Sequence, residues 1–493
     1  MDRRAIRLAA HVLLVALFIP HALEAQRLAR RLDRLLDTAP FDRANWGVIV
    51  TDTAGRVLYA RNADRLFVPA SNTKLVVTAA ASVLLPRAFR ISTSVYGTGP
   101  VEDGVLHGDL VVYGRGDPSF SERCYGTDTT VAGACETVWH RLDALADSVQ
   151  ARGIRAVDGA LVGDGSYFDA QYAHPGWEAY DLNWWYGSPV AALGVNDNSV
   201  NLAWKAGPAP GWPAAITLEP DLGIVRLENR TRTVDSGAAT TIDFFREPGT
   251  LNVWAEGTVA LGRGRTEYFA LPDPNLYFAH AFRAALLRNG VAVTGPTVAT
   301  ADSVRYRAAR DTPALVTVCS RPRDDLIFPI LNTSQNWFAE MLLKLLGKRF
   351  GDEGSWRAGL AVERGFLHDS VGIDTTAFSL SDGSGLSTGN LVSPRAFGQL
   401  LRYMWSHAER DGFLRALPRS GQRGSLRTRF LGTPLEGRVL AKTGSIQHVH
   451  SLSGYVERTR GGPLIFSVIV NNHTVPGRQV LAQIDSVVVE LAR

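Results

Sequence analysis

Pro69-Ala70-Ser71-Asn72-Thr73-Lys74-Leu75-Val76-Val77-Thr78-Ala79-Ala80-Ala81-Ser82-Val83-Leu84-Leu85 is the stretch from which the rest of the chain can be read. A proline starts it, and the smooth apolar run predicts a helix to about Leu85. Ser71 and Lys74 are three positions apart, so the amine and the hydroxyl share one helix face. Ser71 also lies in the first turn, where the partial positive end of a helix favours developing negative charge. The lysine stands out against the composition. Of 52 basic residues only five are lysine, namely Lys74, Lys205, Lys344, Lys348 and Lys442. Arginine holds its proton, whereas burial tunes lysine. Lys74 alone has a serine three residues before it. Taken by itself the pair reads either as a capped, solvated helix start or as a nucleophile beside its base.

Working outward, Arg27 to Leu36 carries leucines at helical spacing, and Trp46 to Thr51 and Val57 to Ala60 read as two strands around an Ala54-Gly55 turn. The C-terminal end mirrors this. Arg438 to Ile446, Val449 to Val456 and Leu464 to Val470 read as strands, and Gln479 to Leu491 as a closing helix. Two early strands, three late ones and a helix at each end make one helix-on-sheet unit. Between them, Phe89 to Thr317 has another texture, rich in glycine, proline and short β-like runs. Its helices are few, chiefly Glu136 to Arg152 and Asn275 to Asn289. The expected division is 26–88 and 318–493 for the helix-on-sheet unit, with 89–317 inserted and a nested β-rich part at about 200–262.

Two further pieces join Ser71 and Lys74. Lys442-Thr443-Gly444-Ser445 lies in a predicted strand, where glycine marks either a bulge or the close approach of a ligand. Asn332-Thr333-Ser334-Gln335-Asn336 precedes the predicted helix Trp337 to Leu346, and reads as a helix cap, a glycosylation sequon or part of a site. The order Ser-x-x-Lys, Ser-x-Asn, Lys-Thr-Gly is already known from β-lactamases and penicillin-binding proteins. With it, the chain resembles the D-alanyl-D-alanine carboxypeptidase/endopeptidase family of class C low-molecular-mass penicillin-binding proteins. Phe89-Arg90-Ile91-Ser92-Thr93, Gly108-Asp109-Leu110, Gly114-Arg115-Gly116-Asp117-Pro118 and the run Tyr186 to Leu193 resemble landmarks of that family's inserted domain. Asp382-Gly383-Ser384-Gly385-Leu386-Ser387 and the strand pair around Lys442 and Leu452-Ser453-Gly454-Tyr455 are further points of likeness.

The resemblance implies an α+β fold. Its catalytic domain is like that of serine β-lactamases and DD-peptidases, an antiparallel five-stranded sheet flanked by helices, interrupted by a large β-rich insertion. It implies acyl transfer from D-Ala-D-Ala peptides of peptidoglycan, with β-lactams as covalent inhibitors and no metal or organic cofactor. The implied catalytic residues are Ser71, Lys74, Ser334, Asn336 and Lys442. Lys74 is the base, Lys442 stays charged, and Ser334 passes a proton to the leaving D-alanine. Thr443, Gly444, Ser445, Gln447 and Asp181 are implied to bind substrate, and the N–H groups of Ser71 and Ser445 to form an oxyanion hole. Thr388 departs from relatives that carry arginine there to recognise a diaminopimelate side chain. The alternatives are a β-lactamase or esterase on the same catalytic fold, and a catalytically silent wall-binding protein.

Composition bounds the rest. A net charge of +4, with no lysine-rich run, speaks against nucleic-acid binding. Arg3, Arg4 and Arg7 precede an apolar run from Leu8 to Ile19, the pattern of an export signal over 1–25 cleaved after Ala25. That implies a periplasmic or other extracytoplasmic protein with no stable transmembrane anchor. Export permits a disulfide, and Cys124 and Cys135 are the expected pair, with Cys319 a buried free thiol. His448 and His450 are expected on one strand face as ordinary packing, without a third ligand for a metal. Trp177, Trp184 and Trp185 are expected to pack in the core of the insertion, with a glycan-contacting surface the alternative.

Overall fold

The computed structural model of the protein describes residues 26–126, 135–137, 139–459 and 461–492, so the expected export signal lies outside the described residues. The expected early and late strands form one sheet. Its strands are β1 (Asn45–Asp52), β2 (Val57–Arg61), β3 (Val439–Ile446), β4 (Val449–Val456) and β5 (Leu464–Asn471). Their order is β2-β1-β5-β4-β3, antiparallel throughout. The helices that matter to it are α1 (26–36), α2 (Lys74–Leu84), α3 (Asn336–Phe350), α4 (Trp356–Gly365), α5 (Pro394–Ser406) and α6 (Gly477–Glu490).

Both faces of this sheet are covered, so its central strands are buried along their whole length and not on alternate residues. Every residue of β4 and β5 is buried. Val48, Val50, Leu452, Phe466 and Val468 pack against Leu28, Leu32 and Leu36 of α1 and Val480, Ile484 and Val487 of α6. On the opposite face Tyr455, Ile465 and Ile469 join the core that holds α2, α3 and α5. Gly398 of α5 sits so close to β1 that a Cβ there would stand 3.2 Å from Ile49 Cγ2. The 3-10 turn Ala70–Thr73, which carries Ser71, thus packs against β3 and β4 and runs straight into α2, which packs on α3.

The intervening chain builds separate sheets. Thr297–Thr300, Leu161–Asp164, Leu110–Tyr113, Ser92–Gly97 and Val316–Cys319 form a mixed five-stranded sheet in that order. Its last strand pairs with Ser92–Gly97 through Cys319, across the break expected after 317. Helix Pro274–Arg288, started by the Asp273 cap, packs with helix His140–Gln150 over a second core. Ser199–Lys205 pairs with both Ala215–Glu219 and Gly264–Ala270, so the nested β-structure closes beyond the Gly262 turn.

Cys124 and Cys135 form the expected disulfide. Cys319 is a correction. It is exposed, because Val316–Cys319 is an edge strand whose inward position is Val316. The histidines are a second correction. His448 is in the turn before β4 at a φ of +60°, so it shares no strand face with the buried His450. Trp177 packs in the main core, whereas Trp184 and Trp185 are half-buried and line a cavity of about 470 Å³ with Tyr180 and Trp204.

Candidate active site

The Ser71 turn is built under strain. Ala70, fully buried, has a φ of +48°, a left-handed conformation that costs a non-glycine residue energy. It is clamped from both sides. Ser451 Oγ donates to the Pro69 carbonyl at 2.7 Å, and Thr73 Oγ1 donates to the Ala70 carbonyl at 3.0 Å. Strand β3 runs past the turn so closely that a Cβ on Gly444 would meet Ser451 Oγ at 2.2 Å, the Pro69 carbonyl at 2.7 Å and Ser71 N at 3.1 Å. Gly385 approaches from the other side, where a Cβ would fall 1.9 Å from the Ala70 carbonyl. These two glycines let three segments meet at one serine.

Lys74 is fully buried and its Nζ makes three contacts. Ser71 Oγ lies at 2.8 Å, Asn336 Oδ1 at 2.6 Å and the Ser384 carbonyl at 2.6 Å. The orientation of the Asn336 amide is fixed from its other end, because Asn336 Nδ2 donates to the Tyr186 carbonyl at 2.6 Å. A neutral amine has two N–H bonds and one lone pair. The two carbonyl oxygens accept only, so they take both N–H bonds and leave the lone pair for the Ser71 hydroxyl proton. Burial lowers the Lys74 pKa to about 7, against the pull of the Asp382 and Glu340 carboxylates in the other direction.

Lys442 reaches the same pocket from β3. Its Nζ donates to Ser334 Oγ at 2.8 Å and to the Thr443 carbonyl at 2.7 Å. Ser334 has a φ of +64°, a second strained residue at the site. The expectation that Lys442 stays charged meets an opposing pull. Complete burial, with the Lys74 amine as neighbour and no acidic partner among its bonds, pushes it well below the ordinary lysine range.

The structure thus brings Ser71, Lys74, Asn336 and the Ser384 carbonyl into one network, and Ser334 onto Lys442 beside it. Of the expected substrate-binding residues, Thr443 Oγ1 donates to Ser425 Oγ at 2.8 Å, Gly444 is the point of close approach, and Ser445 is exposed at the strand end. Asp181 is half-buried, held up in pKa by burial and hydrogen-bonded to the Tyr186 side chain. It connects to the centre through Tyr186, whose carbonyl anchors Asn336. Gln447 and Thr388 are both exposed.

Several residues escaped the sequence reading. Ser425 faces Thr443 from a 3-10 turn, with no local motif to reveal it. Asn72 Nδ2 ties the turn to β4 through Ser453 Oγ at 2.7 Å. Asp382 organises the Gly383–Ser387 loop, accepting from Gly385 N and Ser387 N, each at 2.7 Å. Glu340 had a detectable signal: it stands one turn after Asn336, on the same helix face. Among the described residues, no cluster of three or more His, Cys, Asp or Glu side chains is arranged to hold a metal ion. No helix among them is long and apolar enough to cross a membrane.

The family model for the D-Ala-D-Ala carboxypeptidase 3 (S13) family matches residues 28–492. A D-alanyl-D-alanine carboxypeptidase from an Actinomadura strain is 33% identical over 478 residues, covering 94% of this chain and 84% of that protein. The crystal structure of penicillin binding protein 4 from Haemophilus influenzae superposes with a TM-score of 0.80 at 24% identity, covering 94% of this chain and 99% of that one. A predatory endopeptidase from Bdellovibrio bacteriovorus shares the fold at a TM-score of 0.52 and 16% identity, over 90% and 92% of the two chains. This chain belongs to the D-Ala-D-Ala carboxypeptidase 3 (S13) family and is a serine-type D-Ala-D-Ala carboxypeptidase acting on peptidoglycan.

Proposed function

We propose that Ser71 is the nucleophile of this carboxypeptidase and Lys74 its base. The observation that carries the reading is the set of contacts at Lys74 Nζ: two carbonyl acceptors at 2.6 Å and the serine hydroxyl at 2.8 Å. Ser71 Oγ attacks the carbonyl carbon of the penultimate D-alanine as its proton moves to Lys74 Nζ. The N–H groups of Ser71 and Ser445 receive the oxyanion, an arrangement in which each donor typically contributes about 100- to 1,000-fold in rate. The C–N bond breaks as the proton taken up by Lys74 passes by way of Ser334 to the leaving D-alanine amine, which leaves Lys74 neutral again. Water then attacks the acyl carbon, Lys74 takes its proton, and that proton returns to Ser71 Oγ as the ester C–O bond breaks.

Asn336 Nδ2 is held by Tyr186, so Asn336 acts mainly by fixing Lys74. Lys442, neutral more readily in the free pocket, regains its charge when the substrate's terminal carboxylate arrives, and Thr443 and Ser445 add hydroxyl donors to that carboxylate. Asp181 and Gln447 are the residues assigned to the side chain further along the stem peptide, beside Thr388, which stands where relatives carry arginine. A β-lactam acylates the same serine. The inserted region 89–317 is read as a domain separate from the catalytic one. The basic and apolar N-terminal 1–25 is read as an export signal, which puts the enzyme in the periplasm or its equivalent.

The test is mass spectrometry of the intact protein after penicillin treatment, for wild type and Ser71→Ala. One adduct per wild-type chain and none on Ser71→Ala is the expected result. An adduct on Ser71→Ala at the wild-type level overturns the nucleophile assignment. Digestion of purified muropeptides then separates removal of terminal D-alanine from crosslink cutting.

A further inference from the structure

We infer that Glu340 is a positioning residue for catalysis: it fixes the loop whose Ser384 carbonyl occupies one N–H of Lys74, so that the amine's lone pair faces Ser71. This rests on the reading of Lys74 as the base.

Glu340 is fully buried on α3, where a carboxylate is costly without partners. It has three. Ser384 N donates to Oε1 at 2.7 Å, and Gly383 N and Trp356 Nε1 donate to Oε2 at 3.0 and 2.8 Å. Two consecutive backbone N–H groups are therefore held on one side chain, directly before the carbonyl that meets Lys74 at 2.6 Å. Asp382 grips the following peptide through Gly385 N, so the Ser384 carbonyl cannot turn away from the amine. The same helix supplies Asn336, the other acceptor of Lys74, one turn earlier. α3 thus sets both carbonyl acceptors of the base, one directly and one through Glu340. Nothing in the hydrogen bonding of α3 itself requires an acidic residue there.

Charge adds a second effect. Lys74 faces the Glu340 and Asp382 carboxylates, with the Lys442 amine beside it. Glu340 in turn faces Asp382, Glu363 from α4 and Lys344 of its own helix, which is paired with Asp169. Burial, with Asp382 beside it, raises the Glu340 carboxyl itself to about 7. In its charged form it favours the ammonium form of Lys74, so removing it brings the neutral base in at lower pH.

The experiment measures acylation by a fluorescent penicillin across pH for wild type, Glu340→Gln, Glu340→Asp and Lys74→Ala. Each rate is divided by the active fraction found from end-point labelling. Glutamine has one acceptor oxygen for three N–H donors, so the Ser384 carbonyl shifts. The acylation plateau is expected to fall about 100-fold, the cost of roughly 1 Å of misplacement, with the non-covalent binding constant little changed. The acidic limb should also move to lower pH. Aspartate keeps the charge but falls one methylene short, so its plateau falls without that shift. If Glu340→Gln does not fold, Trp356→Phe removes one donor from the carboxylate, with an expected loss of about tenfold. Plateaus within threefold of wild type, or losses explained by the active fraction with the limb unmoved in Glu340→Gln, overturn the inference. Lys74→Ala separates the two readings. If it acylates at the wild-type rate, the base assignment fails. If it is inactive while the Glu340 variants match wild type, only the role of Glu340 fails.

Discussion

Gly444→Ala is the substitution whose effect follows most directly from the geometry. A Cβ there would sit 2.2 Å from Ser451 Oγ, 2.7 Å from the Pro69 carbonyl and 3.1 Å from Ser71 N, against an ordinary contact of 3.4 Å or more. Ser451 can rotate, but its hydroxyl is then taken from the Pro69 carbonyl it holds at 2.7 Å. The Pro69 carbonyl is backbone and has no such freedom. Strand β3 must therefore withdraw from the Ser71 turn by about 1 Å, taking Ser445 N with it. A displacement of that size costs about 100-fold in rate, or about 2.7 kcal/mol of barrier. Overpacking costs a further 1–3 kcal/mol or so of stability. The assay is stopped-flow acylation by a chromogenic cephalosporin, with a thermal melt to show that the variant is folded. Ser451→Ala/Gly444→Ala serves as a control, since removing Oγ relieves one clash and leaves the backbone one. Acylation of Gly444→Ala within threefold of wild type would refute the close-approach argument. So would full rescue in the double variant, because the Pro69 clash persists there.

Three other outcomes are expected. With Lys74 titrating at about 7, acylation should rise roughly tenfold per pH unit below that value and level off above it, since only the neutral amine takes the serine proton; a flat profile from pH 5 to 8 would contradict this. Asn336→Ala removes the acceptor at 2.6 Å from Lys74 and leaves the Tyr186 carbonyl without its donor, so acylation should fall about 10- to 100-fold and stability by about 1–3 kcal/mol, read from penicillin labelling and urea melts. Glu363 is fully buried with neither carboxyl oxygen hydrogen-bonded, and burial raises its pKa well above the ordinary range. The folded state then keeps its proton while the unfolded chain loses it above about pH 4.3, so this residue lowers stability as pH rises. Glu363→Met should raise the melting temperature at pH 7, by about 1–3 kcal/mol in stability, and the gain should shrink towards pH 4.

What was legible in the sequence was whatever is local. Ser71 and Lys74 are one turn apart, and the strands β1 to β5 announce themselves as short β-like runs. Their joining into one sheet across almost 400 residues was readable only because both ends of the chain carried matching strand and helix patterns. Errors arose where an environment is made by distant segments. Cys319 follows an apolar run, but the run is an edge strand and its alternation turns the thiol outward. For Lys442, expected to stay charged, burial and the Lys74 amine pull the pKa down, and both are products of the closed fold. Gly444 read as a bulge or the close approach of a ligand, and Gly385 only as part of a family stretch; that they make room for the Ser71 turn appears only once that turn is placed between them. Glu340 is the instructive omission. A helix as apolar as α3 has no reason of its own to bury Asn336, Glu340 and Lys344 at steps of four, because each buried polar group carries a desolvation cost that only a partner outside the helix can offset. Such a stripe therefore predicts that other segments bring donors and acceptors to it. Here they are the Ser384 loop, Trp356, Lys74 and Asp169, and the same stripe that stabilises the packing of those segments also sets the two carbonyls around the base.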